Sequence, residues 1–282
     1  MNRRHKYGLR KRAASLALGL CIIAATGTSA LAQKESGGAP GDWLSNYATA
    51  RTIGVGGAFV SIADEPIGII WNPAALTQVF QNVIFVESAR LFEETSINSL
   101  SFGTPERRVL PGFGITIISL NSGTFVRTNE LNDVTGEFNE GETAFLLSAS
   151  KSVTKRFALG ANVKIIRQNI DEFSASGAGV DLGVIFHALP SLTIGASTLN
   201  IGGPGLTLRE TEETYPLNFR GGVTLRFLGG QGLVTTEFAS RSGYDTQFYA
   251  GTEFWVHSML ALRMGYNDSY FAGGASFAFS NG

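Results

Sequence analysis

Cysteine is almost absent from this sequence, because Cys21 is the only one among 282 residues. It lies in an apolar run, residues 13–25, which follows a basic start and precedes Ala30-Leu31-Ala32. This order is typical of a cleaved secretory signal, so we predict that residues 1–32 are a signal peptide. The alternative, an uncleaved anchor, is disfavoured because the run is shorter than the roughly 20 residues that span a bilayer. The remaining chain then has no disulfide, thiolate metal site or cysteine nucleophile.

Charged side chains are scarce, and so are long apolar runs after residue 32. Charged residues make up 16% of the chain and the net charge is −1, so no basic field attracts nucleic acid. We therefore predict no nucleic-acid partner. No uncharged stretch after residue 32 is long enough for a transmembrane helix. The other structure that satisfies its own backbone inside a membrane is a closed β-barrel.

The residue types that build catalytic and metal sites are equally sparse. After residue 32 the only histidines are His187 and His257. The sequence contains no Gly-x-Ser-x-Gly motif and no metal-ligand spacing. Because function has to be argued from a site, we predict that the protein is not an enzyme and holds no metal and no cofactor.

Apolar residues, by contrast, alternate regularly with small or polar residues from about residue 82 onward. Residues 157–165 are typical, with Phe, Leu, Ala, Val and Ile alternating with Ala, Gly, Asn and Lys. Successive side chains of a strand point to opposite faces, so this pattern predicts strands with one apolar and one polar face. The twelve predicted strands lie near 82–90, 95–103, 112–121, 143–153, 156–168, 177–188, 191–200, 216–228, 231–240, 245–256, 258–267 and 270–279.

These strands favour an all-β fold, a transmembrane antiparallel β-barrel, over a soluble sandwich. They are long enough to cross a bilayer at a tilt, and aromatic residues recur near their ends. The polar faces also carry charges that a sandwich core could not bury, whereas a lumen can pair or hydrate them. We interpret these charges as a structural ladder of ion pairs or, alternatively, as a selectivity patch. The predicted lumen charges are Lys164, Asp181, Arg220, Arg226, Glu237, Glu253 and Arg263.

The connections predict how the barrel is oriented in the bacterial outer membrane. Residues 122–142 and 201–215 are polar and rich in glycine, so we expect them to be long extracellular loops. Val153-Thr154-Lys155 and Trp255-Val256-His257 are expected to be tight periplasmic turns.

Residues 33–80 do not have the alternation of a barrel wall and contain a compact motif instead. The motif combines Gly54-x-Gly56-Gly57-Ala58-Phe59-Val60 with Ala63-Asp64 and Trp71-Asn72-Pro73-Ala74-Ala75-Leu76. A nucleotide-binding role for the glycines is disfavoured because no strand-turn-helix unit surrounds them. The joint pattern resembles the PorV/PorQ family within the wider FadL-like group of outer-membrane barrels. The motif residues are Gly54, Gly56, Gly57, Phe59, Asp64, Trp71, Asn72, Pro73 and Ala74.

The resemblance implies a 14-stranded barrel whose N-terminal segment folds into the lumen. It divides the chain into a signal peptide (1–32), an N-terminal plug (33–80) and a barrel (81–282). Only about twelve strands are visible, so we predict that the last hairpin is missing after Ser280-Asn281-Gly282. A true 12-stranded barrel is the alternative. The plug either packs the lumen or acts as a gate for a ligand.

Two functions follow from the resemblance. PorV-like barrels imply a role in protein secretion or surface attachment, with subunits of a type IX-like secretion system or surface cargo proteins as partners. FadL-like barrels imply a passive channel for hydrophobic small molecules such as long-chain fatty acids. A structural outer-membrane protein in contact with lipid is the third possibility.

Overall fold

In a computed structural model, the protein is described over residues 40–41, 43–44, 49–91, 94–208 and 211–279. The predicted signal peptide lies outside these ranges. The plug contains a short helix α1 (Ala50–Gly54) and two 3₁₀ helices, η1 (Pro66–Ile70) and η2 (Pro73–Gln78). Among the described residues, no helix is both long and apolar enough to cross a bilayer.

Almost everything after the plug is antiparallel β-structure, which confirms the predicted fold class. Twelve strands form one sheet in which each strand pairs with its neighbours in chain order, and β8 and β9 form a separate hairpin. The strands are β1 Val83–Arg90, β2 Ser96–Gly103, β3 Gly112–Thr128, β4 Val134–Ser152, β5 Phe157–Ile170, β6 Phe173–Leu189, β7 Leu192–Ile201, β8 Gly205–Leu208, β9 Thr211–Thr214, β10 Asn218–Phe227, β11 Gly232–Arg241, β12 Gln247–His257, β13 Leu260–Asn267 and β14 Tyr270–Phe277.

The sheet has an apolar outer face and a mixed inner face. In β5, Leu159 and Val163 are exposed, whereas Asn162 and Lys164 point inward and are buried. A continuous band of exposed large apolar side chains is incompatible with water and fits contact with lipid.

The strands run between two rims, one at each end of the sheet. The plug enters β1 at the same rim as the connections 104–111, 153–156, 190–191, 228–231 and 258–259. We assign this rim to the periplasm, because the long connection 202–217 and the extended β3–β4 hairpin lie at the other rim. The predicted turn at 153–155 lies at the periplasmic rim as expected. The turn predicted at 255–257 is displaced, because β12 continues through a bulge to His257.

Residues 122–142 are not the loop that the sequence predicts. β3 and β4 both continue beyond residue 121, and the turn between them spans only residues 129–133. Phe125 and Phe138 stack across this hairpin with ring centroids 5.5 Å apart. Much of the extension is solvent-exposed, so it has no apolar face, and hydrophobic alternation could not identify it as strand.

Residues 201–215 are the second correction, because this connection folds inward instead of extending outward. β8 packs against β6, and Leu206 is only 1% exposed. The close approach depends on glycine in β6, since a Cβ at Gly177 would lie 2.7 Å from the Gly205 carbonyl oxygen. A Cβ at Gly179 would similarly lie 2.5 Å from Pro204 Cγ. These glycines therefore make room for the hairpin.

Candidate functional site

The plug follows the inner wall in the reverse of strand order. Gly54 approaches β14, Gly56 approaches β13, and Val60 lies against β7 and β10. Farther along the chain, Asn72 reaches β6, and Leu76 contacts β2 and β3. At its start, the plug also reaches the other sheet edge, because the Ala50 amide donates to Glu87 of β1 at 2.6 Å. Among the described residues β1 and β14 form no ladder with each other, and α1 contacts both strands.

Paired glycines in the wall let the plug backbone approach the sheet. Gly251 lies opposite Gly265 across β12 and β13, and Gly160 lies opposite Gly183 across β5 and β6. A Cβ at Gly265 would lie 2.0 Å from the Gly56 nitrogen, and one at Gly160 would lie 2.3 Å from the Pro73 carbonyl carbon. Any other residue at these positions would displace the plug. We call these wall positions the glycine belt.

The plug motif residues have distinct structural positions. Gly56 and Gly57 have φ of +68° and +88°, a region that favours glycine, and they lie against Tyr266 and Tyr249. Phe59 and Trp71 pack edge to face with ring centroids 5.4 Å apart, and both are buried.

Asn72 connects the plug to the wall and begins η2. Its Oδ1 accepts from the Ala74 amide at 3.0 Å, which caps η2 ahead of Pro73 at its first turn. Its Nδ2 donates to the carbonyls of Val60 and Val184, each at 2.9 Å. One buried carboxamide therefore fixes two parts of the plug and strand β6 together.

Two of the predicted lumen charges form a buried pair that holds the plug. Arg220 and Glu237 lie 2.5 Å apart and are both almost completely buried. The other oxygen of Glu237 accepts from the amides of Phe59 and Val60, each at 2.7 Å. A carboxylate with these partners is satisfied, so this pair anchors the plug and does not line an open pore.

A second group of charged residues surrounds Arg51, a plug residue that lies outside the sequence motif. Its guanidinium lies 2.6 Å from Asp64, 2.5 Å from Glu65 and 2.8 Å from Glu253. Burial raises the pKa of Glu65, and the nearby Asp64 raises it further, whereas Arg51 opposes both effects. Arg51 therefore joins the two acids of the plug to the wall.

The remaining charges of β10 and β13 extend this group. Arg263 lies directly opposite Glu253 and donates to it at 2.6 Å, as the predicted ladder requires. Arg226 reaches Asp64 at 3.7 Å. We call Arg51, Asp64, Glu65, Glu253 and Arg263, together with the Arg220–Glu237 pair, the ionic anchor.

Lys164 and Asp181 form a pair on the other side of the lumen. Their charged atoms lie 2.6 Å apart, and Lys164 also donates to Asn200 at 2.5 Å. Asn200 in turn donates to the Pro216 carbonyl at 2.8 Å. The pair thus fixes both ends of the inward-folded connection. A cavity of about 20 Å³, lined by both polar and apolar residues, lies beside it and has room for about one water molecule.

The inner surface of the extracellular half of strands β2–β6 contains an apolar row beside the polar pair Glu142 and Gln168. Ile118, Ala144 and Ile166 lie opposite one another in register and form a continuous row across three strands. All three are completely buried. We call this surface with the side chains that fill it the apolar chamber. The filling side chains include Trp43, Leu44, Leu206 and Tyr215.

Glu142 of β4 holds the contents of the chamber in place. Its Oε2 accepts from Trp43 Nε1 at 2.6 Å and also from the Tyr215 hydroxyl. Burial raises the pKa of Tyr215, and the negative charge of Glu142 raises it further. Tyr215 therefore remains a neutral donor at physiological pH. We call Trp43, Leu44, residues 204–208 and residues 211–215 the lid.

Within the described part of the chain, no three His, Cys, Asp or Glu side chains cluster in a way that could hold a metal ion. The acidic plug residues have arginine partners instead. The chemistry that this lumen offers is therefore apolar packing in the chamber and ion pairing at the anchor.

The architecture is similar to that of solved outer-membrane barrels. The toluene transporter TbuX of Ralstonia pickettii matches with a TM-score of 0.60 and 15% identity, over 84% of this chain and 91% of that chain. The toluene transporter TodX of P. putida matches with a TM-score of 0.61 and 13% identity, over 84% of this chain and 90% of that chain. A FadL homologue of Pseudomonas aeruginosa matches with a TM-score of 0.56 and 11% identity, over 84% of this chain and 87% of that chain. No family model and no curated protein matches the chain. At these identities the likeness establishes the fold alone, an antiparallel β-barrel like those of these outer-membrane proteins.

Proposed function

We propose that the protein is an outer-membrane channel that passively admits small hydrophobic molecules, without enzymatic activity and without a cofactor. The observation that carries this proposal is the apolar chamber, whose row of Ile118, Ala144 and Ile166 faces the lumen. The lumen of a water-filled porin is polar, so buried isoleucines there favour an apolar cargo. The fold shared with two toluene transporters and a FadL homologue supports the same class of cargo.

The lid explains how such a channel stays closed. Leu206 and Trp43 occupy the chamber in the way that an apolar ligand would. Apolar packing is non-directional, so a ligand of suitable size can replace these side chains, and the cost is the hydrogen bonds that Trp43 and Tyr215 donate to Glu142. The ionic anchor depends on specific partners and holds the rest of the plug while the lid exchanges with the ligand.

The secretion hypothesis receives less support. It predicted a large extracellular rim formed by residues 122–142 and 201–215, but the second of these folds into the lumen and buries Leu206. The solved structures named above are hydrocarbon transporters and a FadL homologue, so membership of the PorV/PorQ family remains a prediction from the motif. The alternative, a FadL-like channel, agrees better with the fold and with the chamber.

A paired substitution tests the proposal, because Ile165 and Ile166 are adjacent and face opposite ways. Ile166 lines the chamber, whereas Ile165 is 51% exposed on the outer wall. The full-length protein is expressed in cells that lack their own hydrophobic channels, and uptake of radiolabelled toluene is measured. We expect Ile166→Thr to slow uptake and Ile165→Thr to leave it unchanged.

A hydrophilic solute provides the opposing measurement. Glucose flux should stay at the level of cells without the protein. Toluene uptake no faster than in those cells, or equal slowing by both threonine variants, would contradict the proposal.

A further inference from the structure

The outer wall contains a groove that the channel does not use. It has a volume of about 630 Å³ and crosses the wall over β4–β7 and the start of β10. Its floor consists of small residues, since Ala149 lies opposite Ala161, and Ala196 lies two strands farther along. Larger side chains form its walls, including Leu159, Leu182 and Phe219.

One end of this apolar groove is basic. Lys151 lines the groove, and its ammonium lies 3.2 Å from the Leu110 carbonyl oxygen and 3.4 Å from that of Arg108. These contacts hold the β2–β3 connection beside the end of the groove. Arg107 and Arg108 on this connection are exposed.

The basic residues of the periplasmic rim are concentrated here. Residues 104–111 and 151–156 contain five basic side chains and one carboxylate, Glu106, which pairs with Lys151 at 3.4 Å. The other connections of this rim, residues 190–191, 228–231 and 258–259, contain no charged residue. The positive charge is therefore local to the groove.

We propose that the groove binds one anionic phospholipid of the periplasmic leaflet. An acyl chain lies over the alanine floor, and the phosphate is held by Arg107 and Arg108, with Lys151 beside them. Arginine suits this role because its guanidinium forms charge-assisted, two-point contacts with phosphate. Basic clusters beside an apolar surface are a common basis for anionic lipid recognition. The site lies outside the lumen, so it stands independently of the proposed channel function.

The test is native mass spectrometry of the full-length protein in detergent, titrated with phosphatidylglycerol or with phosphatidylcholine of the same acyl chains. We expect one phosphatidylglycerol molecule to bind about tenfold more tightly than one phosphatidylcholine molecule. A difference of this size is the contribution of one charge-assisted contact. Ala161→Trp fills the groove floor and should abolish that binding. Ala275→Trp is the matched control, because Ala275 is exposed on β14 away from the groove.

The double variant Arg107→Gln/Arg108→Gln separates the charge from the groove. It should reduce phosphatidylglycerol binding to the level of phosphatidylcholine without affecting the fold, since both side chains are exposed. The proposal is overturned if the two lipids bind equally, if the preference survives the double variant, or if Ala161→Trp binds as tightly as Ala275→Trp.

Discussion

The two sides of the lumen hold the plug and the lid by different physical means. Strands β10–β13 contact the plug through the ionic anchor, in which each charge has a specific partner. Strands β2–β6 contact the lid through the apolar packing of the chamber, to which Glu142 adds the hydrogen bonds from Trp43 and Tyr215. Removing one partner of a buried ion pair leaves an uncompensated charge, whereas apolar contacts tolerate a substitute of similar volume. Under the proposed function, the ionic anchor stays in place while the contents of the chamber exchange with the cargo.

The largest effect should come from breaking the ionic anchor. Glu237→Ala leaves Arg220 buried without its partner and removes the acceptor of two plug amides. We expect the free energy of unfolding to fall by about 3–5 kcal/mol, measured by urea titration of the refolded protein. Glu137→Ala, on the exposed part of β4, is the matched control. A loss below about 1 kcal/mol, the range of a surface ion pair, would remove the distinction between the two sides.

The chamber side should respond in activity more than in stability. Tyr215→Phe removes one of the two hydrogen bonds to Glu142 and should weaken lid closure by about 1.5–3 kcal/mol, the usual contribution of a hydrogen bond to a charged group. We expect faster toluene uptake and a fall in the free energy of unfolding that is no larger than this amount and smaller than that of Glu237→Ala. Tyr270→Phe is the control, at an exposed tyrosine of β14 whose hydroxyl accepts from Asn267, and it should leave toluene uptake unchanged. Slower uptake by Tyr215→Phe would contradict the assignment of these residues to a lid.

The glycine belt offers a third test, by steric displacement. Gly265→Ala places a methyl group against the plug backbone at Gly56 and should cost about 1–3 kcal/mol, as overpacking does. The displaced plug should be cleaved faster by trypsin at Arg51. Gly273→Ala is the control, because the nearest atom to its Cβ is 3.8 Å away. Equal cleavage rates in the two variants would show that the belt does not position the plug.

The smallest effect should arise at the edge of the ionic anchor. The side chain of Asp64 is 31% exposed, and water screens its pairs with Arg51 and Arg226. We therefore expect Asp64→Asn to change the free energy of unfolding by about 0–1 kcal/mol. Asp245→Asn, in an exposed turn, gives the baseline for the same urea titration. An effect as large as that of Glu237→Ala would show that exposed and buried charges of the ionic anchor contribute equally to the free energy of unfolding.

The sequence predicts the wall well because a wall strand leaves a two-residue period. Twelve strands were identified within a few residues in most cases, and inward charges such as Lys164 and Glu237 could be placed by alternation alone. The alternation of apolar and polar residues does not predict the extension of β3 and β4, because both of its faces are largely exposed to solvent. The inward path of residues 201–215 depends on room left by Gly177 and Gly179, which alternation does not report.

The site is harder to predict than the wall, because apolar and polar residues do not alternate regularly in the plug. The motif drew attention to Gly56, Asn72 and Asp64, but Arg51 stands in the same segment and its partner Glu253 is about 200 residues away. The chamber was missed for a different reason. Ile118 and Ile166 face inward, and alternation had suggested a polar lumen throughout, so apolar inward positions were not identified as a site.

The reverse path of the plug has a consequence for the order of folding. Leu76 contacts β2, whose Gly103 follows it closely in the chain, whereas Arg51 contacts Glu253 at a separation of 202 residues. Contacts that are close in sequence form sooner, because they close shorter loops. We therefore expect the contact of Leu76 with β2 to form before that of Arg51 with β12, although Ala50 also has a partner in β1 at a separation of only 37 residues. The Arg51–Glu253 contact thus requires that β12 is already in place.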